Sequence, residues 1–307
     1  MNKFELALQR HAVIVLDGGL ATQLETMGYD LDSELWSARL LESEPRAIID
    51  AHRNYLDAGA DCIVSASYQA SRKGFMSTGK SAAQADALIV SAVELAKIAR
   101  AEFLDDNPTK AFQPLVAASV GPYGAAMHDG SEYTGKYGVS AAELREFHFD
   151  RLQLLDRSGA DVLAVETIPN MTEARVLAEL LVDVETPAWV SFCCRDSNSL
   201  SDGTSLVTAA ALLEGHSRVL AVGINCTRPK YVAELITALR KAVPNKAVLV
   251  YPNSGETYNA TDNSWSGTAC DFDADFDVVA WRAAGAKLIG GCCRTGPDDI
   301  AALRQLL

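Results

Sequence analysis

The sequence predicts an α/β protein, a (β/α)8 TIM-type barrel forming a single domain over residues 1–307. Three observations carry this expectation. Eight short apolar runs recur along the chain, each followed by a helical pattern, and eight βα units in about 300 residues is the count for such a barrel. One local junction is used three times, in Ala58-Gly-Ala-Asp61, Ser158-Gly-Ala-Asp161 and Ala284-Gly-Ala-Lys287. No linker, low-complexity tract or composition shift divides the chain. Length alone suggests about two domains, but α/β barrels run to about 250 residues as one unit. A doubly wound open sheet is the competing architecture. It lacks its Gly-rich phosphate turn here, since Asp17-Gly18-Gly19-Leu20 is not G-x-G-x-x-G.

The predicted strands are 12–17, 62–65, 115–119, 162–166, 189–193, 220–225, 247–251 and 288–291. Most are continuously apolar, as strands covered on both faces must be. Amphipathic segments lie between them. Ser140-Ala-Ala-Glu143 reads as a capping box, and Leu144, Phe147, Leu152 and Leu155 follow at roughly helical spacing. Pro229 and Pro297 stand where a first helical turn accepts proline. In the repeated junctions, glycine just past a helix end relieves the left-handed backbone needed there.

Composition narrows the function. Hydrophobic residues at 49% and charged residues at 22% are ordinary for a soluble globular protein that buries a large core. Forty acidic residues against 27 basic ones give a net charge of −13. That argues against nucleic acid and anionic membranes, both of which need clustered Lys and Arg. No apolar run approaches the roughly 18 residues of a membrane helix, and MNKFELALQR does not read as a signal peptide. Seven cysteines is an odd number in a chain too long to need disulfide staples. A reducing cytoplasm is therefore the expected compartment, with the thiols as core residues, metal ligands or reactive groups.

Barrel chemistry collects at the C-terminal ends of the strands. In strand order, those ends carry Asp17-Gly18-Gly19, Ser67-Tyr68-Gln69, Gly121-Pro122-Tyr123-Gly124, Glu166-Thr167, Cys193-Cys194, Asn225-Cys226, 251–256 and Gly290-Gly291-Cys292-Cys293. Five of the seven cysteines are among them. Cys226, Cys292 and Cys293 offer three thiolates with one position of a Zn²⁺ left open, a catalytic arrangement. Adjacent strand residues point to opposite faces, so Cys292 and Cys293 share a metal only if the strand has ended, a turn that Gly290 and Gly291 make easy. Buried small hydrophobes are the alternative, and spacing alone leaves both open. Cys193 and Cys194 read as packed core thiols, and Cys62 and Cys270 as core or loop residues.

Asp17 and Glu166 end apolar runs and need partners. A cationic substrate group would serve, and so would Arg or Lys from neighbouring loops. Trp36, Tyr68, Tyr123, Tyr133, Tyr137, Tyr251, Tyr258 and Trp265 fall in the same loops, where aromatic faces either attract a sulfonium or ammonium group or, more commonly, simply pack. His11, His52 and His148 fall on the bottom or outer shell, and His128 and His216 read as solvated loop or helix-end residues.

These residues resemble the zinc-dependent homocysteine S-methyltransferases, in particular the single-domain enzymes that use S-methylmethionine. The matching segments are Leu16-Asp-Gly-Gly19, Leu35-Trp-Ser-Ala38, Ser67-Tyr-Gln-Ala70 with Gly74-Phe75, Gly121-Pro-Tyr-Gly124, Asp129-Gly-Ser-Glu-Tyr-Thr-Gly135, Val165-Glu-Thr-Ile-Pro169, Gly223-Ile-Asn-Cys226, Tyr251-Pro-Asn-Ser-Gly-Glu256 and Gly290-Gly-Cys-Cys293. The resemblance implies that Cys226, Cys292 and Cys293 bind zinc. It implies that Asp17 and Glu166 hold the homocysteine ammonium, that the backbone of Gly18 and Gly19 meets its carboxylate, and that Asn225 is a further substrate contact. The implied reaction moves a methyl group from S-methylmethionine, or S-adenosylmethionine as a second donor, to zinc-bound homocysteine thiolate, giving methionine. A betaine donor, or selenohomocysteine or selenocysteine as acceptor, is the alternative on the same site. The chain runs about one helix past Cys293, so folate or cobalamin modules are not expected, and neither the donor nor the oligomeric state is legible. Two other classes stay open. A zinc hydrolase on a barrel would draw His and carboxylate ligands, and a redox protein would pair its vicinal cysteines.

Overall fold

The computed structural model describes residues 1–31, 36–259, 264–270 and 275–307. The described residues form ten strands: β1 (Ile14–Val15), β2 (Cys62–Val64), β3 (Leu115–Val120), β4 (Val162–Ile168), β5 (Ala188–Phe192), β6 (Val219–Asn225), β7 (Ala247–Tyr251), β8 (Thr257–Asn259), β9 (Ser264–Ser266) and β10 (Ala286–Ile289). Eight of them pair in parallel in the order β1-β10-β7-β6-β5-β4-β3-β2. A parallel bridge between Leu16 and Cys62 joins the two ends of that order, with Asp17 N donating to Cys62 O at 3.0 Å. The sheet is thereby closed, as the sequence predicts. The antiparallel hairpin β8–β9 lies in the connection after β7 and was not expected.

Side-chain alternation builds two cores. Leu115, Ala117, Val162, Ala164, Trp189, Ala221, Leu249 and Leu288 point inward and fill the barrel. Their sequence neighbours Val116, Ala118, Leu163, Val165, Val190, Val222, Val250 and Ile289 point outward and meet the helices. This period of two explains why the strands read as continuous apolar runs. The helix Lys3–Arg10 closes the bottom, with Phe4 reaching the Trp189 ring at 6.0 Å between centroids. Gly223 is required inside the barrel: a Cβ there would lie 1.8 Å from Leu249 O.

The repeated junction carries more than a turn. Gly59, Gly159 and Gly285 have φ of +103°, +78° and +108°, the left-handed backbone that favours glycine. The residue two positions later then ties down the neighbouring strand of the barrel. Asp61 accepts from Val15 N at 3.0 Å, and Asp161 accepts from Val116 N at 2.9 Å. Lys287 donates to the carbonyls of His11 and Ala12 just before β1. These ties rigidify the bottom and leave the top for chemistry.

The capping box at Ser140 forms, with Glu143 N donating to Ser140 Oγ at 3.3 Å and Ser140 N to Glu143 Oε2 at 2.8 Å. Pro229 and Pro297 open their helical segments. Strand limits differ at the rim: β4 runs on to Ile168, and β10 stops at Ile289.

Candidate active site

Alternation places the top layer of the barrel interior. Inward positions that are apolar below become Ser119, Glu166, Ser191, Asn225 and Tyr251 at the C-terminal ends. These polar groups satisfy one another. Glu166 accepts from the Ser119 hydroxyl and from Tyr251 Oη, the latter at 3.0 Å. Ser191 Oγ lies 2.7 Å from Tyr251 Oη and 2.8 Å from Asn225 Oδ1.

Asp17 is 3% exposed and accepts from Val64 N at 2.7 Å. Among the described residues neither Asp17 nor Glu166 has a Lys or Arg at ion-pair distance. Nearby Arg151 is spent on the carbonyls of Ser67, Tyr68 and Gly121. Burial pushes the Glu166 carboxyl up to about 7. Burial, and to a lesser degree the charge of Glu166, hold Asp17 well above the usual carboxylate range. The two carboxylates share a cavity and lack a cation. Of the two pairings open in the sequence, the one with protein Lys or Arg is therefore absent.

The three rim thiols come together as expected. Their sulfurs all lie within 4.8 Å of one another, the one such group of potential metal ligands among the described residues. Cys226 Sγ stands 3.6 Å from Cys293 Sγ and at disulfide contact with Cys292. A tetrahedral Zn–S arm of about 2.3 Å sets S···S edges of about 3.8 Å, so the reduced triad needs only a small opening to fit. Among the described residues no fourth His, Cys, Asp or Glu joins the group, which leaves one position for a ligand from solution. Burial pushes the Cys293 thiol up to about 12, so a cation is needed to hold it as thiolate. The vicinal pair Cys292–Cys293 is not the bonded one.

Local backbone aims these groups. β10 ends before the cysteines, as sharing a metal requires. Gly290 and Gly291 serve by smallness rather than by turning. A Cβ on Gly290 would meet Leu16 Cβ at 2.6 Å, and one on Gly291 would meet Thr295 Cγ2 at 2.2 Å. Thr167, Cys226 and Arg294 carry φ of +62°, +45° and +66°, uncommon for residues with a side chain. Each such residue costs on the order of 1–3 kcal/mol and persists only where its surroundings hold it. At Thr167, Asn225 supplies that hold. Its Oδ1 accepts from Thr167 N at 2.7 Å, and its Nδ2 donates to Thr167 Oγ1 at 2.7 Å and reaches Cys292 Sγ at 3.9 Å.

The cavity also takes in Gly18, Gly19, Tyr68, Gln69, His128, Glu132, Tyr133 and Thr167. His128 is thus a half-buried wall residue rather than a solvated one. Tyr68, Tyr133 and Tyr251 are the aromatics that reach the site, and the Tyr133 hydroxyl bonds the Cys293 sulfur. Tyr123 and Tyr137 instead pack on each other at 5.4 Å. Leu35 and the side chains of Trp36, Tyr258 and Trp265 lie outside the described residues. Cys193 and Cys194 are buried, with Cys193 Sγ donating to Cys226 O at 3.5 Å. Cys62 is buried in β2, and Cys270 is half-buried beside Gly255. His52 and His148 are wholly buried, His148 against Glu173 at 2.8 Å.

Sequence reasoning assigned no role to Ser119, Gln69 or Glu132. Ser119 could have been found by counting inward positions along β3 against Glu166. The other two sit in the connections after β2 and β3, where strand alternation gives no signal.

A closed barrel with three thiols that could hold a metal ion, and two uncompensated carboxylates, at its C-terminal mouth defines a class, a barrel enzyme acting on a small molecule. The sequence profile of the homocysteine S-methyltransferases matches residues 14–307, and the chain belongs to that family. It is 46% identical to the homocysteine S-methyltransferase YbgG of Bacillus subtilis, over 98% of this chain and 96% of that one. It is also similar to the solved homocysteine methyltransferase MmuM of Escherichia coli. The metallated and the oxidized forms of MmuM each superpose with a TM-score of 0.89 at 44% identity, covering 99% of both chains. No described helix is long and apolar enough to cross a membrane.

Proposed function

We propose that this protein transfers a methyl group from S-methylmethionine to homocysteine, giving methionine, with zinc held by Cys226, Cys292 and Cys293. The observation that carries the reading is the pairing, in one cavity, of a three-thiol group open at its fourth position with two buried carboxylates that have no cation. Homocysteine offers a thiol to the first and an ammonium to the second.

Cys226, Cys292 and Cys293 would hold the zinc, whose charge would favour the thiolate form of a bound thiol. Asp17 and Glu166 receive the substrate ammonium, and the ionised Glu166 is held in place by Ser119 and Tyr251. Gly19 N already donates to Thr295 O at 2.9 Å, so the carboxylate contact assigned to this glycine pair falls to Gly18. Asn225 has its amide atoms engaged by Thr167 and Ser191, which supports a positioning role beside the substrate. The acceptor sulfur then forms a bond to the methyl carbon as the donor's S–CH3 bond breaks. The electron pair stays on the donor sulfur, which leaves as a neutral thioether. No general acid is required, and with S-methylmethionine both products are methionine. Holding the two sulfurs in line supplies much of the rate.

The test is incubation of the reduced, zinc-loaded protein with homocysteine and S-methylmethionine, S-adenosylmethionine or betaine in turn, reading the methionine formed. S-methylmethionine is expected to give the highest kcat/KM. Higher turnover with betaine would reassign the donor.

A further inference from the structure

Glu132 lies on the short helical turn Ser131–Tyr133 in the connection after β3 and is 6% exposed. Its Oε2 is buried without a hydrogen-bond partner. No Lys or Arg stands at ion-pair distance among the described residues, and the neighbouring charge acting on it is that of Asp129, which repels. Gln69, in the connection after β2, is also 6% exposed. Its Nε2 donates to Ala125 O at 3.1 Å, which fixes the other end of the amide as oxygen, and that oxygen has no partner either. Both residues line the cavity that holds Asp17, Glu166 and the thiols, together with the rings of Tyr68 and Tyr133.

Two buried acceptors left unpaired are costly, the carboxylate more so. Their complement is a cation that carries N–H donors. The homocysteine ammonium already has Asp17 and Glu166 in the reading above, and a sulfonium centre has no N–H. A methyl donor that is itself an amino acid brings a second ammonium into the same cavity.

We propose that Glu132 and Gln69 hold the α-ammonium group of the methyl donor, so that the site selects a sulfonium amino acid over donors without an amino group. The inference rests on the methyl-transfer reading and adds the donor's recognition to it. Betaine, whose quaternary nitrogen has no N–H, would leave both acceptors unpaired. Donor choice is then set by hydrogen bonding, which rejects an analogue lacking the matching group more strongly than shape does.

The experiment uses the full-length, zinc-loaded protein with homocysteine as acceptor. Two donors are compared: S-methylmethionine and 3-(dimethylsulfonio)propanoate, which has a sulfonium and a carboxylate but no amino group. In wild type the ratio of kcat/KM favours S-methylmethionine. Glu132→Gln is expected to raise the KM for S-methylmethionine about ten- to a hundredfold, the range for hydrogen bonds to charged groups. It should leave the KM for homocysteine unchanged and collapse the ratio between the donors. Gln69→Met, which keeps the length of the side chain and changes no charge, should lower the ratio in the same direction, and it decides the matter if Glu132→Gln does not fold. An unmoved donor KM in both variants overturns the proposal. So does a rise confined to the homocysteine KM, which would give Glu132 to the acceptor. Failure of wild type to form methionine from S-methylmethionine removes the underlying reading, and this proposal with it.

Discussion

Tyr251 Oη donates to Glu166 Oε2 at 3.0 Å, and this bond to a neutral hydroxyl is the kind of support the carboxylate receives throughout. Ser119 provides the other hydroxyl. Neither brings positive charge, so Glu166 is oriented but not neutralised. A carboxylate so placed is stabilised when a cation arrives.

Glu166→Gln should leave metal content unchanged and weaken homocysteine binding by roughly 1.5–3 kcal/mol, the range for a hydrogen bond to a charged group. The donor KM should move less. The decisive measurement is the ratio of kcat/KM for homocysteine over a simple alkyl thiol without an amino group. That ratio should fall in the variant, because the lost contact is one the simple thiol never made. An unchanged ratio would remove Glu166 from substrate recognition.

The same carboxylate sets a pH dependence. Burial pushes Glu166 up to about 7 in the free protein. The ammonium needs the ionised form, so kcat/KM for homocysteine should fall as the pH drops through about 7. The dependence of kcat should be displaced to lower pH, since the bound ammonium favours ionisation. Glu166→Gln should flatten the part of the profile centred near pH 7. A wild-type profile in kcat/KM matched by that of the variant would assign the titration to another group.

Asn225 holds Thr167 in its left-handed backbone by two bonds of 2.7 Å each. Asn225→Ala should leave the buried donor at Thr167 N without a partner, at about 1–3 kcal/mol, while Ser191 keeps Tyr251 Oη. Urea unfolding of the apo protein reads the loss. Because Thr167 follows Glu166, the homocysteine KM should rise as well. Full stability in the variant would show that the strain at Thr167 is held elsewhere.

Cys193 and Cys194 are the packed pair. Changing them together to Ser and Ala should retain metal and most activity, with a stability loss of about 1–3 kcal/mol for a buried unpaired hydroxyl. Metal lost from a variant that still folds would move the ligand assignment to this pair.

Much of this was legible in the sequence, for reasons that differ by element. The strands were legible because both their faces are buried, so Val162 to Val165 reads as one apolar run. Asp17, Glu166, Cys226 and Cys292 stood out because each interrupts or ends such a run. The hairpin β8–β9 was not legible: its strands are three residues each and polar at most positions. The bottom ties from Asp61, Asp161 and Lys287 join residues distant in sequence, and no local pattern reports them. Glu132 lies inside the 129–135 motif, but only the fold shows that its Oε2 is buried without a partner. Gly290 and Gly291 were read as conformational freedom, whereas their neighbours Leu16 and Thr295 make them a matter of space.

The most direct measurement is metal content against activity in one preparation. The reduced protein should carry about one zinc per chain and form methionine from homocysteine and S-methylmethionine. Chelation should abolish both together, and added zinc should restore them. Cys226→Ser should fold but lose both metal and activity. A metal-free preparation with full activity, or a Cys226→Ser variant as active as wild type, would contradict the assignment of the thiol triad as the seat of the reaction.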